Sequence, residues 1–189
     1  IIMSEPNLVI GIAMPFQTAL RKAFNANHIP SFYHLSSNYD DIMDHIRHVG
    51  TMTGHDREAV ALVQKYNDIL SEIIQRHKDE SAPRVIIASG TPTSYQLASS
   101  KTYVGDIFQR LGAKNVADVY LPQDVSENAL DGYIPLNLET MAVLDCDKVI
   151  LINHGSSGEK DIAAFKMAFK TPAWQNVPAI ANGNIEALP

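Results

Sequence analysis

Seven histidines, one cysteine and a handful of methionines and tyrosines are the side chains of this 189-residue sequence with chemistry to offer. The best placed is His154, which follows the apolar run Lys148–Asn153 (KVILIN) and precedes Gly155. Such a run reads as a buried strand of a parallel sheet, and open parallel sheets bind ligands beyond the carboxyl ends of their strands. An imidazole there is a candidate axial ligand for iron, and a glycine beside it lets a flat ligand approach the backbone. A histidine that merely caps a strand end in solvent is the competing reading. Met14, at the exit of the earlier run Asn7–Ile12 (NLVIGI), holds the matching place on an opposite wall. Its thioether could complete a His/Met pair, although a methionine also serves as core filler. Tyr95 and Tyr103 flank a polar loop and could give a ligand an aromatic wall or a hydroxyl; packing accounts for Tyr103 equally well. Ser156 and Ser157, in a His-Gly-Ser-Ser-Gly loop ahead of a helix, could meet an anionic group on that ligand.

Other chemistries fit less well. The His-Gly-Ser-Ser-Gly loop lacks the Lys-Ser/Thr ending of a nucleotide-binding P-loop. There is no G-x-S-x-G elbow, and Ser156 and His154 are too close in one loop to align as a nucleophile and base. Cys146, between Asp145 and Asp147 and just before a strand, reads as a buried small apolar residue. As a lone cysteine it excludes an intrachain disulfide and any multi-cysteine metal site. His45 and His48 share a helix, but no carboxylate completes a metal motif with them, and both read as solvent-facing.

The elements that must position these residues alternate. Asn7–Ile12 reads as a strand, residues 16–27 as a helix, Ser31–His34 as a strand and Tyr39–Val49 as a helix after the capping cluster Ser36-Ser37-Asn38. Asp56–Lys78 is the most periodic segment, with Ala59, Leu62, Val63, Tyr66, Ile69, Leu70, Ile73 and Ile74 on one stripe. At about 1.5 Å per residue it is a helix roughly 35 Å long, expected to pack along the side of a globular body. After Asp79–Pro83 a second alternation begins. Val85–Ser89 reads as a strand, residues 90–100 as a loop, Thr102–Leu111 as a helix and Val116–Tyr120 as a strand. Leu136–Leu144 reads as a helix, Lys148–Asn153 as a strand and Glu159–Phe169 as a helix, with a helical or extended return over Trp174–Ala181. The fold class this implies is α/β.

Composition bounds the function. Fifteen Lys and Arg against twenty-one Asp and Glu give a net charge of −6, which argues against a nucleic-acid partner. A hydrophobic share of 46% and a charged share of 19% are those of a folded globular protein. The longest apolar runs fall far short of the roughly 20 residues of a membrane helix. The sequence opens at Ile1 with no charged n-region or apolar h-region, so it reads as a mature product or a cut piece.

Several phrases, in order, carry a resemblance. They are Glu5–Gly11 (EPNLVIG), Tyr39–Thr53 (YDDIMDHIRHVGTMT) leading into the long helix, and Lys101–Ile107 (KTYVGDI) followed by Leu111–Val116 (LGAKNV). Tyr133–Glu139 (YIPLNLE) and Asp147–Ile150 (DKVI) continue the series. Together they resemble the substrate-binding proteins of iron-complex and cobalamin ABC importers, whose lobes are joined by a rigid helix. Ser89–Tyr95 (SGTPTSY) and Ile152-Asn153-His154-Gly155 most resemble the haem-receptor lipoproteins of Gram-positive bacteria. In those, a histidine followed by glycine just after this strand is an axial ligand of haem iron, and His154 falls on that position. The usual second ligand, a methionine, belongs to a stretch ahead of this sequence, and a final helix would follow Pro189.

The resemblance implies two Rossmann-like lobes with parallel sheets joined by one long backbone helix, the first lobe incomplete. Residues 1–53 would be a partial N-terminal lobe, 54–80 the linking helix and 81–189 the C-terminal lobe. The implied function is the capture of an iron complex, haem above all, for delivery to an ABC permease. The protein would be extracytoplasmic, either periplasmic or a membrane-anchored cell-surface lipoprotein, and not an enzyme. Surface acids such as Asp40, Asp41, Glu139 and Glu159 would be candidates for docking onto permease arginines. A ferric siderophore or cobalamin as cargo is the first alternative, and a small α/β hydrolase or nucleotide-binding enzyme the second.

Overall fold

The computed structural model describes residues 1–91, 94–120, 132–135, 144–152 and 159–188. Two sheets are built on either side of a long helix in the sequence. The first is a parallel pair, β1 (Val9–Ile12) and β2 (Ser31–His34), in register from Val9 opposite Ser31 to Ile12 opposite His34. Its crossover holds two short helices, α1 (Pro15–Thr18) and α2 (Arg21–Ala26), in place of the one helix expected over 16–27. Phe16 and Leu20 are exposed and Phe24 is buried. Helical periodicity without a surface to pack on does not sustain a continuous helix.

Helix α3 (Tyr39–Thr53) starts where the Asn38 side chain accepts the Asp41 N–H at 2.9 Å, and ends at Gly54 in the left-handed conformation, φ 73°. The chain turns directly into α4 (Asp56–His77). At this corner a Cβ on Gly50 would lie 2.4 Å from that of Ala59, so only glycine lets the two helices meet there. The α4 stripe is not buried along its whole width. Ala59 and Val63 are buried and Leu70, Ile73 and Ile74 half-buried, while Leu62, Tyr66 and Ile69 face outward. The surface that covers α4 consists of α3 with Ile107 added, and it reaches only one side of the helix.

The second sheet is mixed. Strand β3 (Arg84–Thr91) pairs in parallel with β7 (Lys148–Ile152), which pairs in parallel with β8 (Ile185–Leu188). On its other side β3 meets the short β5 (Lys114–Asn115) in parallel, then β4 (Ser94–Ala98) antiparallel; β4 in turn carries β6 (Tyr133–Pro135). The segment expected as a loop over 90–100 is therefore largely a hairpin. The strand expected over Val116–Tyr120 is a 3-10 helix. The helix expected over Leu136–Leu144 lies outside the described residues apart from Leu144.

Both faces of β3 and β7 are covered, which is why Val85–Ala88 and Val149–Ile152 run apolar without interruption. Ile86, Ala88, Val149 and Leu151 face one core with Phe165, Phe169 and Trp174. That core is closed by helices over Glu159–Ala168, Pro172–Gln175 and Pro178–Ala181. Val85, Ile87, Ile150 and Ile152 face the other core, with Val104 of α5 (Tyr103–Arg110). The architecture is α/β, as the alternation of elements predicts.

Candidate functional site

The carboxyl ends of β1 and β2 open onto a cavity of about 460 Å³. Ile10, Ile12, Ile42, His34, His45 and Tyr103 line it, so it is an apolar hollow with two imidazoles and one phenol. This is where ligands of open parallel sheets bind. The strand ends are held by short polar links: the Gln17 side-chain oxygen accepts the Ile12 N–H at 2.8 Å, and the Asp41 carboxylate accepts the Ser37 N–H at 2.7 Å. Tyr103 comes from the far side of the long helix, at the first position of α5 behind the N-cap Thr102. It also stands beside Tyr133, whose phenol is pushed above its usual range by burial first and then by this neighbour.

His34 is the last residue of β2, and its Nε2 lies 3.0 Å from the Asp41 carbonyl oxygen. His45 sits one helical turn beyond Asp41 on α3, with its ring centroid 4.5 Å from that of His34 and the planes at 57°. Phe32, two residues before His34 and so on the same face of β2, stacks on it at 6.2 Å and 13°, and lies 6.0 Å from the His45 ring. The Nδ1 of His45 is buried and unpartnered. Burial holds His45 below the usual histidine range, and the adjacent His34 and His48 add to this. His48 is exposed as expected, but His45 is half-buried, because α3 folds back over the β2 face that carries Phe32 and His34. Among the described residues no three His, Cys, Asp or Glu side chains are grouped to hold a metal ion.

Of the residues singled out from the sequence, Tyr103 lines this cavity. Met14 is half-buried just past β1, its N–H on the Ile12 carbonyl oxygen at 2.7 Å, and does not number among the lining residues described. Tyr95 stands on β4 opposite Gly90 of β3. His154 and Ser156 lie outside the described residues; β7 ends two residues before His154, with Ile152 opposite Ser89 on one side and Leu188 on the other. His34 was open to discovery by the strand-end rule that singled out His154. His45 carried no local signal, since it becomes a cavity residue only when α3 packs on β2. Cys146 is buried in the core as expected, its thiol pushed up to about 11 chiefly by burial.

Comparison with known proteins identifies the fold and the family. The chain is 28% identical over 144 residues to the high-affinity heme uptake system protein IsdE of Staphylococcus aureus (strain MRSA252), a match that takes in 73% of this chain and 46% of that protein. The chain thus spans about half the length of the curated relatives it matches. Among solved structures, an ABC transporter substrate-binding protein from Listeria monocytogenes superposes with a TM-score of 0.77 at 20% identity, over 99% of this chain and 69% of that one. Staphylococcus aureus IsdE complexed with heme superposes at 0.74 and 20% identity, over 97% and 68%. The siderophore-binding protein FeuA of Bacillus subtilis does so at 0.75 and 14%, over 96% and 61%. These likenesses establish a shared fold. The sequence as a whole, residues 1–189, matches the periplasmic binding protein family, and the chain belongs to that family.

Proposed function

We propose that this protein is the extracytoplasmic substrate-binding component of an ABC importer, a non-catalytic carrier whose cargo is an iron complex and specifically haem. The observation that carries the reading is the apolar cavity at the carboxyl ends of β1 and β2, lined also by Tyr103 from beyond the long helix, in a chain of the periplasmic binding protein family. Residues 1–53 and 81–189 would form the two lobes and 54–80 the helix between them. Haem is a large apolar disc, and isoleucine and tyrosine suit its faces. His154 would ligate the iron, Tyr95 would add an aromatic wall, and Ser156 would meet a propionate. Met14 would be a thioether at the edge of the first wall. The haem-uptake relative supports the cargo.

A ferric siderophore is the second reading, and the likeness to FeuA favours it. Neither Arg nor Lys is among the described lining residues of the cavity, which suits haem better than a highly anionic siderophore complex. In either case an ABC permease in the membrane would receive the cargo. No helix among the described residues is long and apolar enough to cross a membrane.

Titration with haemin, followed by visible absorption, tests the proposal on this chain and on its His154→Ala variant. A saturable Soret shift in the parent that is lost or displaced in the variant supports haem carriage with His154 on the iron. A protein that produces no shift with haemin, yet quenches its fluorescence on binding a ferric siderophore, transfers the cargo to the second reading.

A further inference from the structure

The haem reading leaves the two imidazoles of the first wall without a task. His34 and His45 both line the cavity, where isoleucine or leucine would have served a purely apolar ligand better. The Asp41 carbonyl oxygen can only accept a hydrogen bond, so the His34 Nε2 at 3.0 Å must donate, which leaves the lone pair on Nδ1. Metal-ligating histidines are characteristically fixed in this way, one ring N–H given to a carbonyl and the other nitrogen left to bind. His45 lies 4.5 Å away, ring to ring, and both rings are braced by Phe32. The His45 Nδ1 is a buried polar atom whose bonding capacity nothing in the described chain satisfies.

We propose that His34 and His45 form a two-imidazole site for a first-row transition-metal centre that has two adjacent exchangeable coordination positions. Two nitrogens each about 2 Å from one metal bring their ring centroids to roughly 4.5–5.5 Å when they occupy neighbouring positions, which is the spacing observed. Haem cannot use such a pair, because its porphyrin leaves only the two opposite faces of the iron free. The matching ligands are a hydrated divalent ion or an iron complex whose chelator leaves two neighbouring positions to water. Imidazole suits nickel, copper, zinc and iron alike. The site stands on its own geometry and holds whether or not the protein also carries haem.

Calorimetric titration with Ni(II) alone tests this on the parent, His34→Gln, His45→Gln and, as a control, His77→Gln, a residue paired with Glu80 just past α4. The expected result is one saturable site that weakens on the order of tenfold or more in each of the first two variants and is unmoved in the third. Proton NMR of the unmodified protein with Co(II) gives a reading independent of how well the variants fold: two imidazole rings should show hyperfine-shifted signals. Absence of saturable Ni(II) binding, an affinity unmoved by both His34→Gln and His45→Gln, or Co(II) signals from fewer than two rings would overturn the proposal.

Discussion

Arg110 ties two carboxylates from different parts of the chain into one fork. Its Nε donates to Asp106, one turn back on α5, at 2.8 Å, and its second amino group to Asp40, in the first turn of α3, at 2.7 Å. Asp106 also accepts the Tyr39 N–H at 2.8 Å, so a carboxylate from α5 caps the start of α3, where the helix dipole favours negative charge. The guanidinium lies over the Tyr39 ring, 5.4 Å from its centroid. Together with Ile107, packed against Tyr39, Met43 and Val63, this fork pins α5 to the helix that borders the cavity.

The two acids of that fork should not be equivalent. The Asp106 side chain is 16% exposed and holds a backbone donor, while that of Asp40 is 72% exposed. Asp106→Ala is expected to cost about 2 kcal/mol, a charged hydrogen bond lost and a buried N–H left unpaired. Asp40→Ala should cost about 0.5 kcal/mol or less, the usual value of an exposed pair. Asp106→Asn should fall between them, since an amide oxygen still accepts from Tyr39. Urea unfolding of the three variants measures this ranking, and equal losses for Asp40→Ala and Asp106→Ala would show that the fork is not what holds α5.

Among the described residues, Gly105 allows the closest backbone approach in the second sheet region. A Cβ on it would stand 1.9 Å from the Ser99 carbonyl oxygen, and that turn is already fixed. Ser99 donates its hydroxyl to the Gly132 carbonyl at 2.7 Å, and Thr102 donates its own to Ser99 O at 2.8 Å while accepting the Gly105 N–H at 3.2 Å. Gly105→Ala must push backbone against backbone, so a loss of about 3 kcal/mol or more is expected, or failure to fold. Thr102→Val keeps the shape and removes the cap, and should cost about 1–2 kcal/mol. Thermal unfolding decides it; a Gly105→Ala protein as stable as the parent would mean that α5 can slide away from Ser99.

Cys146 should be inert in the native protein. It is 3% exposed and its thiol is pushed up to about 11, so at neutral pH almost no thiolate exists to react. A disulfide-exchange reagent should label one thiol per chain quickly in denaturant and barely at all without it. The same shift gives a pH dependence. The native chain keeps a proton that the unfolded chain, titrating near about 8.5, releases, so stability is intact below that value and falls as pH rises towards 11. Cys146→Ala should lose this alkaline slope while remaining folded at pH 7.

What could be read in advance depended on how local the cause was. β3 and β7 announced themselves through Val85–Ala88 and Val149–Ile152, because burial on both faces demands an apolar run. α3 was marked by the capping Asn38. β4 was hidden because Ser94–Ala98 (SYQLA) owes its conformation to pairing with β3 and β6, partners that no short window contains. Val116–Tyr120 has strand-like residues, yet Asn115 diverts the chain: its side chain donates to the Ala98 carbonyl at 2.8 Å and accepts the Ala117 N–H at 3.0 Å, which turns the backbone into a 3-10 helix. At the site, Tyr103 was visible as an aromatic beside a polar loop. His34 and His45 are eleven residues apart in sequence and become neighbours only through the packing of α3 on β2.

Tyr103 offers the sharpest functional test of the cavity, because it reaches the hollow from beyond the long helix. If it serves as an aromatic wall, as the haem proposal has it, the ring matters and the hydroxyl does not. Tyr103→Phe should then hold haemin with an affinity within about twofold of the parent. Tyr103→Ala should weaken binding on the order of tenfold, about 1.4 kcal/mol, the scale of one lost aromatic contact. Tyr133 is the natural control: it packs beside Tyr103 without lining the cavity, so Tyr133→Phe should leave haemin affinity unchanged while relieving a buried phenol whose ionisation is suppressed. A large loss in Tyr103→Phe, with a Soret band altered relative to the parent, would reverse the assignment. The phenol oxygen would then be an iron ligand in its own right, and the wall would have to be sought elsewhere in the cavity.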